Sequence, residues 1–150
     1  MFSENYSRQT AMASANKVLA ADLTDHELAT LARSEEAKVR AAVAERPTTP
    51  LTSLLLLGQD VSPAVRAGVA RNQRPDLPVE LRQDLSKDKS PEVVYAVIEN
   101  PATPDSILSK LSHSFHRDYA GAAKQAIYQR KTAWRREIAY GETVAVTQPR

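Results

Sequence analysis

Cysteine is absent from this chain of 150 residues, which excludes disulfides, thiolate-held iron–sulfur clusters and cysteine-type zinc sites. Glycine occurs only four times and never clusters. That leaves no phosphate-cradling glycine loop and no Gly-x-Ser-x-Gly elbow, and no His-Glu-x-x-His helix is present either. Long apolar runs are missing too. The longest leucine run, Leu54 to Leu57, is far too short to cross a bilayer, so no membrane partner is expected. Met1-Phe2-Ser3-Glu4-Asn5 lacks the basic start and apolar stretch of a secretory signal, and a cytoplasmic setting is the expectation.

Charge of one sign is also scarce, with a formal net charge of only +2. Its distribution is uneven. Residues 1–112 carry 13 Lys and Arg against 15 Asp and Glu, whereas residues 113–150 carry 7 against 3. The basic excess belongs to the C-terminal segment and hints at an interaction surface there.

What the chain does have is a repeated phrase. Val39-Arg40-Ala41-Ala42-Val43-Ala44 returns as Val65-Arg66-Ala67-Gly68-Val69-Ala70 and again as Val93-Val94-Tyr95-Ala96-Val97-Ile98, with steps of 26 and 28. A further step of 26 reaches Tyr119. A fixed period of this size marks a solenoid, whose units bury their apolar faces only against their neighbours. Each phrase carries apolar residues at i, i+3 and i+4, the stripe of an amphipathic α-helix. Leu31, Leu57, Leu85 and Leu111 precede these helices, and Leu28, Leu54 and Leu108 lie three residues earlier, with Leu81 one position out of register. That spacing predicts a short helix in each unit, α or 3₁₀. The middle of the long-helix stripe is always small, and Gly68 there predicts a neighbouring backbone passing close, since glycine costs a helix about 1 kcal/mol.

Proline supplies the punctuation. Ser62-Pro63 and Ser90-Pro91 predict capped helix starts, with Ser34 the cap in the first unit. Pro47, Pro75 and Pro101 end the long helices, and Pro50, Pro78 and Pro104 open the next short ones. Two extra residues around Gln73-Arg74 account for the 28-residue step. The pattern predicts one domain over 1–150: an N-terminal cap helix over 8–23, repeats over 24–112, a long C-terminal cap helix over 113–141 and a flexible tail over 142–150. The long helix itself should run from about Arg117 to Tyr140, because no proline interrupts it.

The spaced positions together resemble the leucine-rich repeat variant family, whose units read roughly Leu-Ala-x-Asp-x-x-x-x-Val-Arg-x-x-Val-Ala-x-Asn-Pro-x-Thr-Pro. Leu31-Ala32, Val39-Arg40 and Val43-Ala44-Glu45-Arg46-Pro47-Thr48-Thr49-Pro50 carry the match in the first unit, and Asn100-Pro101-Ala102-Thr103-Pro104 carries it in the third. The resemblance covers about residues 24–112. It implies an all-α, short right-handed α-solenoid of alternating α and short or 3₁₀ helices, related to HEAT arrays and capped by the long C-terminal helix. Arg46 stands where the family has asparagine, and Val94 where it has arginine. The cysteine cluster of an iron–sulfur member is missing, so no cofactor is carried over.

Two sets of residues are candidates for partner binding. Arg40 and Arg66 hold equivalent places and would form a ladder along one face. They either line a groove for an acidic peptide or a phosphate backbone, or pair with Asp60, Glu36 or Glu92 between units. Lys124, Tyr128, Lys131 and Arg135 form a basic lane interrupted by an aromatic, which can hold phosphates and stack a base. The opposite stripe of Tyr119, Ala122, Ala123, Ala126, Ile127, Trp134 and Ile138 should cap the core. His113, His116 and Asp118 have a metal-like spacing but no second ligand pair, so no metal is expected. Thr143 and Thr147 offer only the generic modifiability of a tail.

With no catalytic constellation, the sequence reads as a non-enzymatic module that binds an unidentified protein partner. The alternative is a nucleic-acid binder using the C-terminal lane. A self-associating scaffold using Leu54–Leu57 or Trp134 is a third reading.

Overall fold

The computed structural model describes residues 22–141, which form eight helices and, among the described residues, no strand. The N-terminal helix expected over 8–23 and the tail over 142–150 lie outside the described residues. The helices alternate in length. The short ones are α1 (Asp25–Leu31), α3 (Leu51–Leu57), α5 (Val79–Leu85) and α7 (Asp105–Ser112). The long ones are α2 (Ala37–Glu45), α4 (Pro63–Arg71), α6 (Pro91–Glu99) and α8 (Arg117–Gly141).

The short helices are α-helical. Their exits carry 3₁₀-type bonds, where the amides of Asp60 and Asp88 bond the carbonyls of Leu57 and Leu85, three residues back, and the Ser53 amide bonds the Pro50 carbonyl in the same way at the entry of α3. Thr24 and Glu27 close a reciprocal capping box at the start of α1. Pro50 and Pro78 stand at the caps of α3 and α5. The expected serine caps of α4 and α6 are corrected by the structure. Ser62 and Ser90 occupy the cap positions, but their side chains make no capping bond. The residue two places earlier takes over, because the tight turn brings its side chain onto the serine amide. Asp60 accepts from Ser62 N–H at 2.9 Å and Asp88 from Ser90 N–H at 2.8 Å. Ser34 does the same for Glu36, the true cap of α2, at 3.2 Å.

The described residues divide into two compact units, the first closing at Pro104 and the second opening at Asp105. In the first unit α2 packs on α4 and α4 on α6. Val39, Val43, Val65, Val69, Val93 and Val97 are all buried, as are Leu54, Leu57 and Leu85. Each fully buried side chain of this size contributes about 1.5–3 kcal/mol relative to exposure. Gly68 marks the closest approach of α4 to α2. A Cβ there would sit 2.8 Å from the backbone oxygen of Ala41 and 3.0 Å from Ala44 Cβ. The close-passing backbone predicted from the sequence is Ala41.

In the second unit α7 and α8 pack as a helical hairpin. An ion pair of 2.8 Å from Arg130 to Asp105 sets the first residue of α7 level with the middle of α8. At eight residues α7 is about 12 Å long, against about 37 Å for the 25 residues of α8. The distal part of α8 therefore runs past its partner helix.

Candidate interaction surface

Arg40 and Arg66 are engaged within the first unit. The Nε and one Nη of Arg40 donate to the two carboxylate oxygens of Asp60 at 2.8 and 3.0 Å, and its other Nη donates to the carbonyls of Ser34 and Glu35. Arg66 repeats the arrangement one unit on. It grips Asp88 at 2.7 and 3.1 Å and donates to the carbonyls of Asp60 and Val61. Such planar two-point pairs are the stronger class of charge-assisted bond. Both arginines and both aspartates are no more than 14% exposed at the side chain. Burial pushes the carboxyls of Asp60 and Asp88 up, but the bonds from arginine and serine outweigh it and hold both below the usual carboxylate range. The hydrogen bonds that Arg40 and Arg66 donate to Asp60 and Asp88 raise the guanidinium values in turn.

Of the partners suggested by the sequence, Asp60 is confirmed for Arg40. Glu92 instead faces Arg71, whose main partner is Glu45 at 3.0 Å. Asp88 was missed. Its signal was present, since it holds the same place in the repeat as Asp60. Val94 and Ser114 stand where the next arginine and aspartate would fall, so both members change together.

A second ladder uses asparagine. Asn72 donates to the carbonyls of Ala44 and Arg46, and Asn100 to those of Ala70 and Asn72, stitching the ends of successive long helices. Arg82 is the exception in the core. It occupies the place held by Leu54 and Leu108 elsewhere, is 3% exposed, and donates to the carbonyls of Asn72 and Arg74. Burial alone lowers its guanidinium value. These carbonyls belong to the residues on either side of Gln73, so the buried arginine ties the inserted loop to the helix that carries the out-of-register Leu81.

The second unit presents a different surface. From Ala133 to Tyr140 every residue of α8 is exposed. Lys124, Tyr128, Lys131 and Arg135 are exposed as well and fall within about 60° of the helix circumference. The stripe expected to cap the core does so only in part. Ala123 is fully buried and Ala122, Ala126 and Ile127 are half-buried, but Trp134 and Ile138 are 62% and 52% exposed. They continue the Ile127 stripe beyond the reach of α7, where their unit offers nothing to cover them. Of the Leu54–Leu57 run, only Leu55 and Leu56 are exposed.

His113 Nδ1 lies 2.8 Å from the carbonyl of Ser109, and the His116 ring stacks on Tyr119 with centroids 4.5 Å apart. Among the described residues no group of His, Asp or Glu has the arrangement to hold a metal ion. Among the same residues, no helix is long and apolar enough to cross a membrane.

The family model of the leucine rich repeat variant matches residues 37–62, from the first residue of α2 to the cap of α4. That is one full repeat. No curated protein and no solved structure matches the chain.

Proposed function

We propose that this chain is a non-catalytic, cytoplasmic interaction module that binds another protein through the distal half of α8. The observation that carries this reading is the exposure of Trp134 and Ile138, one turn apart on one face, in a helix that outruns its partner. Large apolar side chains grouped at a surface mark interaction sites far more often than scattered ones do. Stacked helical repeats commonly serve as binding scaffolds, which agrees with the matched repeat. The non-catalytic part of the reading is supported by the titratable groups. Among the described residues, those with shifted values sit in the ion pairs of Arg40, Arg66 and Arg74 or in the carbonyl cradle of Arg82, so structure accounts for their shifts. Arg40 and Arg66 have no part in the proposed contact.

A photo-crosslinking residue at position 131 of the full chain tests the proposal. Crosslinking to a defined protein, abolished by Trp134→Ala with Ile138→Ala, is the expected result. Absence of any protein adduct, together with tight and salt-sensitive binding of oligonucleotides, would overturn it. That outcome would favour nucleic acid, a reading supported by the exposed lane of Lys124, Tyr128, Lys131 and Arg135.

A further inference from the structure

The distal face of α8 has two edges that differ in chemistry. Ile127, Trp134 and Ile138 define an apolar stripe about 40° wide on the helix circumference. Lys131, Lys124 and Arg135 run along one edge of it, spread over about 16 Å of helix length, and no ion pair or hydrogen bond among the described residues engages their side chains. The opposite edge carries Glu137 and Arg130, and Arg130 is held by Asp105. Arg136 points from the far side of the helix, away from the stripe. A partner that matches this surface must bring apolar side chains in a row with acidic side chains along one edge only.

Resting on the reading of α8 as a protein contact, we infer that its partner is an acid-edged amphipathic helix of another protein. The partner's apolar stripe lies on Trp134 and Ile138, and its carboxylates face Lys131 and Arg135. Charge complementarity selects this occupant over the others. A second copy packed antiparallel on the same face of α8 would set Lys131 and Arg135 against their own duplicates, and one packed parallel would offer them a single carboxylate, Glu137, beside the cationic Arg130. Residues 1–21 hold Arg8 and Lys17 against Glu4, and residues 142–150 hold Arg150 against Glu142, so neither segment is acidic. Nucleic acid would leave Ile138 without a function, since phosphates and bases are gripped by cations and aromatic faces. A helix of the opposite kind, by contrast, engages Trp134, Ile138 and the basic edge together. The one-sided charge also fixes which way round the partner lies.

Trp134 is the only tryptophan in the chain, so its emission reports directly on this surface. The probe is a 21-residue helical peptide without tryptophan, with leucine on the stripe and glutamate along one edge. A twin peptide carries lysine in place of each glutamate. Titrated into the full chain at low salt, the glutamate peptide is expected to shift Trp134 emission to the blue, saturably. Its affinity should exceed that of the lysine twin about tenfold or more. Lys131→Glu with Arg135→Glu should reverse this preference, and Ile138→Asp should weaken the glutamate peptide about tenfold while leaving the reporter in place. Equal shifts with both peptides would overturn the inference, as would a preference that survives charge reversal. Concentration-dependent dimerisation abolished by Ile138→Asp would overturn it in favour of a second copy. Should crosslinking at position 131 capture a protein while neither peptide moves the Trp134 emission, the interaction reading stands and the acid-edged helix falls.

Discussion

Asp60 holds three groups in place at once. Its carboxylate accepts from Arg40 and from the Ser62 amide, and its carbonyl accepts from Arg66, which in turn grips Asp88. The consequence is an acid-sensitive scaffold. Both carboxyls lie below their unfolded value of about 3.9. The unfolded chain therefore binds protons first as pH falls, and the stabilisation, complete above about pH 5, is lost as pH drops through the folded values. Urea midpoints should be flat from pH 7 to about 5 and then decline. Asp60→Asn with Asp88→Asn should lower the neutral midpoint, at about 2 kcal/mol per site, and flatten the acid decline. A second residue-scale test concerns Gly68. Alanine would gain about 1 kcal/mol of helix propensity. Its Cβ would meet the Ala41 carbonyl, which cannot swing aside, so Gly68→Ala should lower stability by about 1–3 kcal/mol overall.

At the scale of the element, the short helix α5 shows a repeat unit that has absorbed an insertion. Leu54 and Leu108 hold apolar core positions, while the equivalent Arg82 buries its stem there and extends its head to the carbonyls of Asn72 and Arg74. Leu81 fills the adjacent space, with its Cδ1 against the α-carbon side of Gly58. Arg82→Leu should cost about 1.5 kcal/mol by chemical denaturation, because the Arg74 carbonyl loses its strongest donor. Deleting Gln73 and Arg74 in the same variant should recover most of that loss. The shortened loop would then read Asn-Pro-x-x-Pro, as it does from Asn100 to Pro104. The sequence showed the insertion and the displaced leucine as two separate irregularities. The link between them was hidden, because a buried arginine is recognised only once its carbonyl partners are located in space.

At the scale of the whole molecule, exposed and buried apolar residues should separate cleanly by experiment. Trp134→Ala with Ile138→Ala should leave the melting temperature within the range of ordinary surface substitutions, about 0.5 kcal/mol. Val65→Ala, at a fully buried position, should cost about 2 kcal/mol or more. An acrylamide titration should quench Trp134 in the native state nearly as well as in urea. Together these results would assign α8 two functions along its length, a packed proximal half and a free distal half.

The helical class, the 26-residue period, the stacking of Val39, Val65 and Val93 and the bounds of α8 were all legible in the residues alone. Each depends on local periodicity and on proline, which act over a few neighbouring positions. Which carboxylate meets which arginine was only half legible, since Arg40 and Asp60 are 20 residues apart and many acids compete for the pairing. Whether Trp134 and Ile138 would cap the core or stay exposed was left open by the residues, which supported both a core stripe and a self-association surface at Trp134. Their spacing from Ile127 is that of a core stripe, and a helix carries no record of how far its neighbour extends. Sequence determined that this face would be apolar; the shortness of α7 decided that it would remain uncovered.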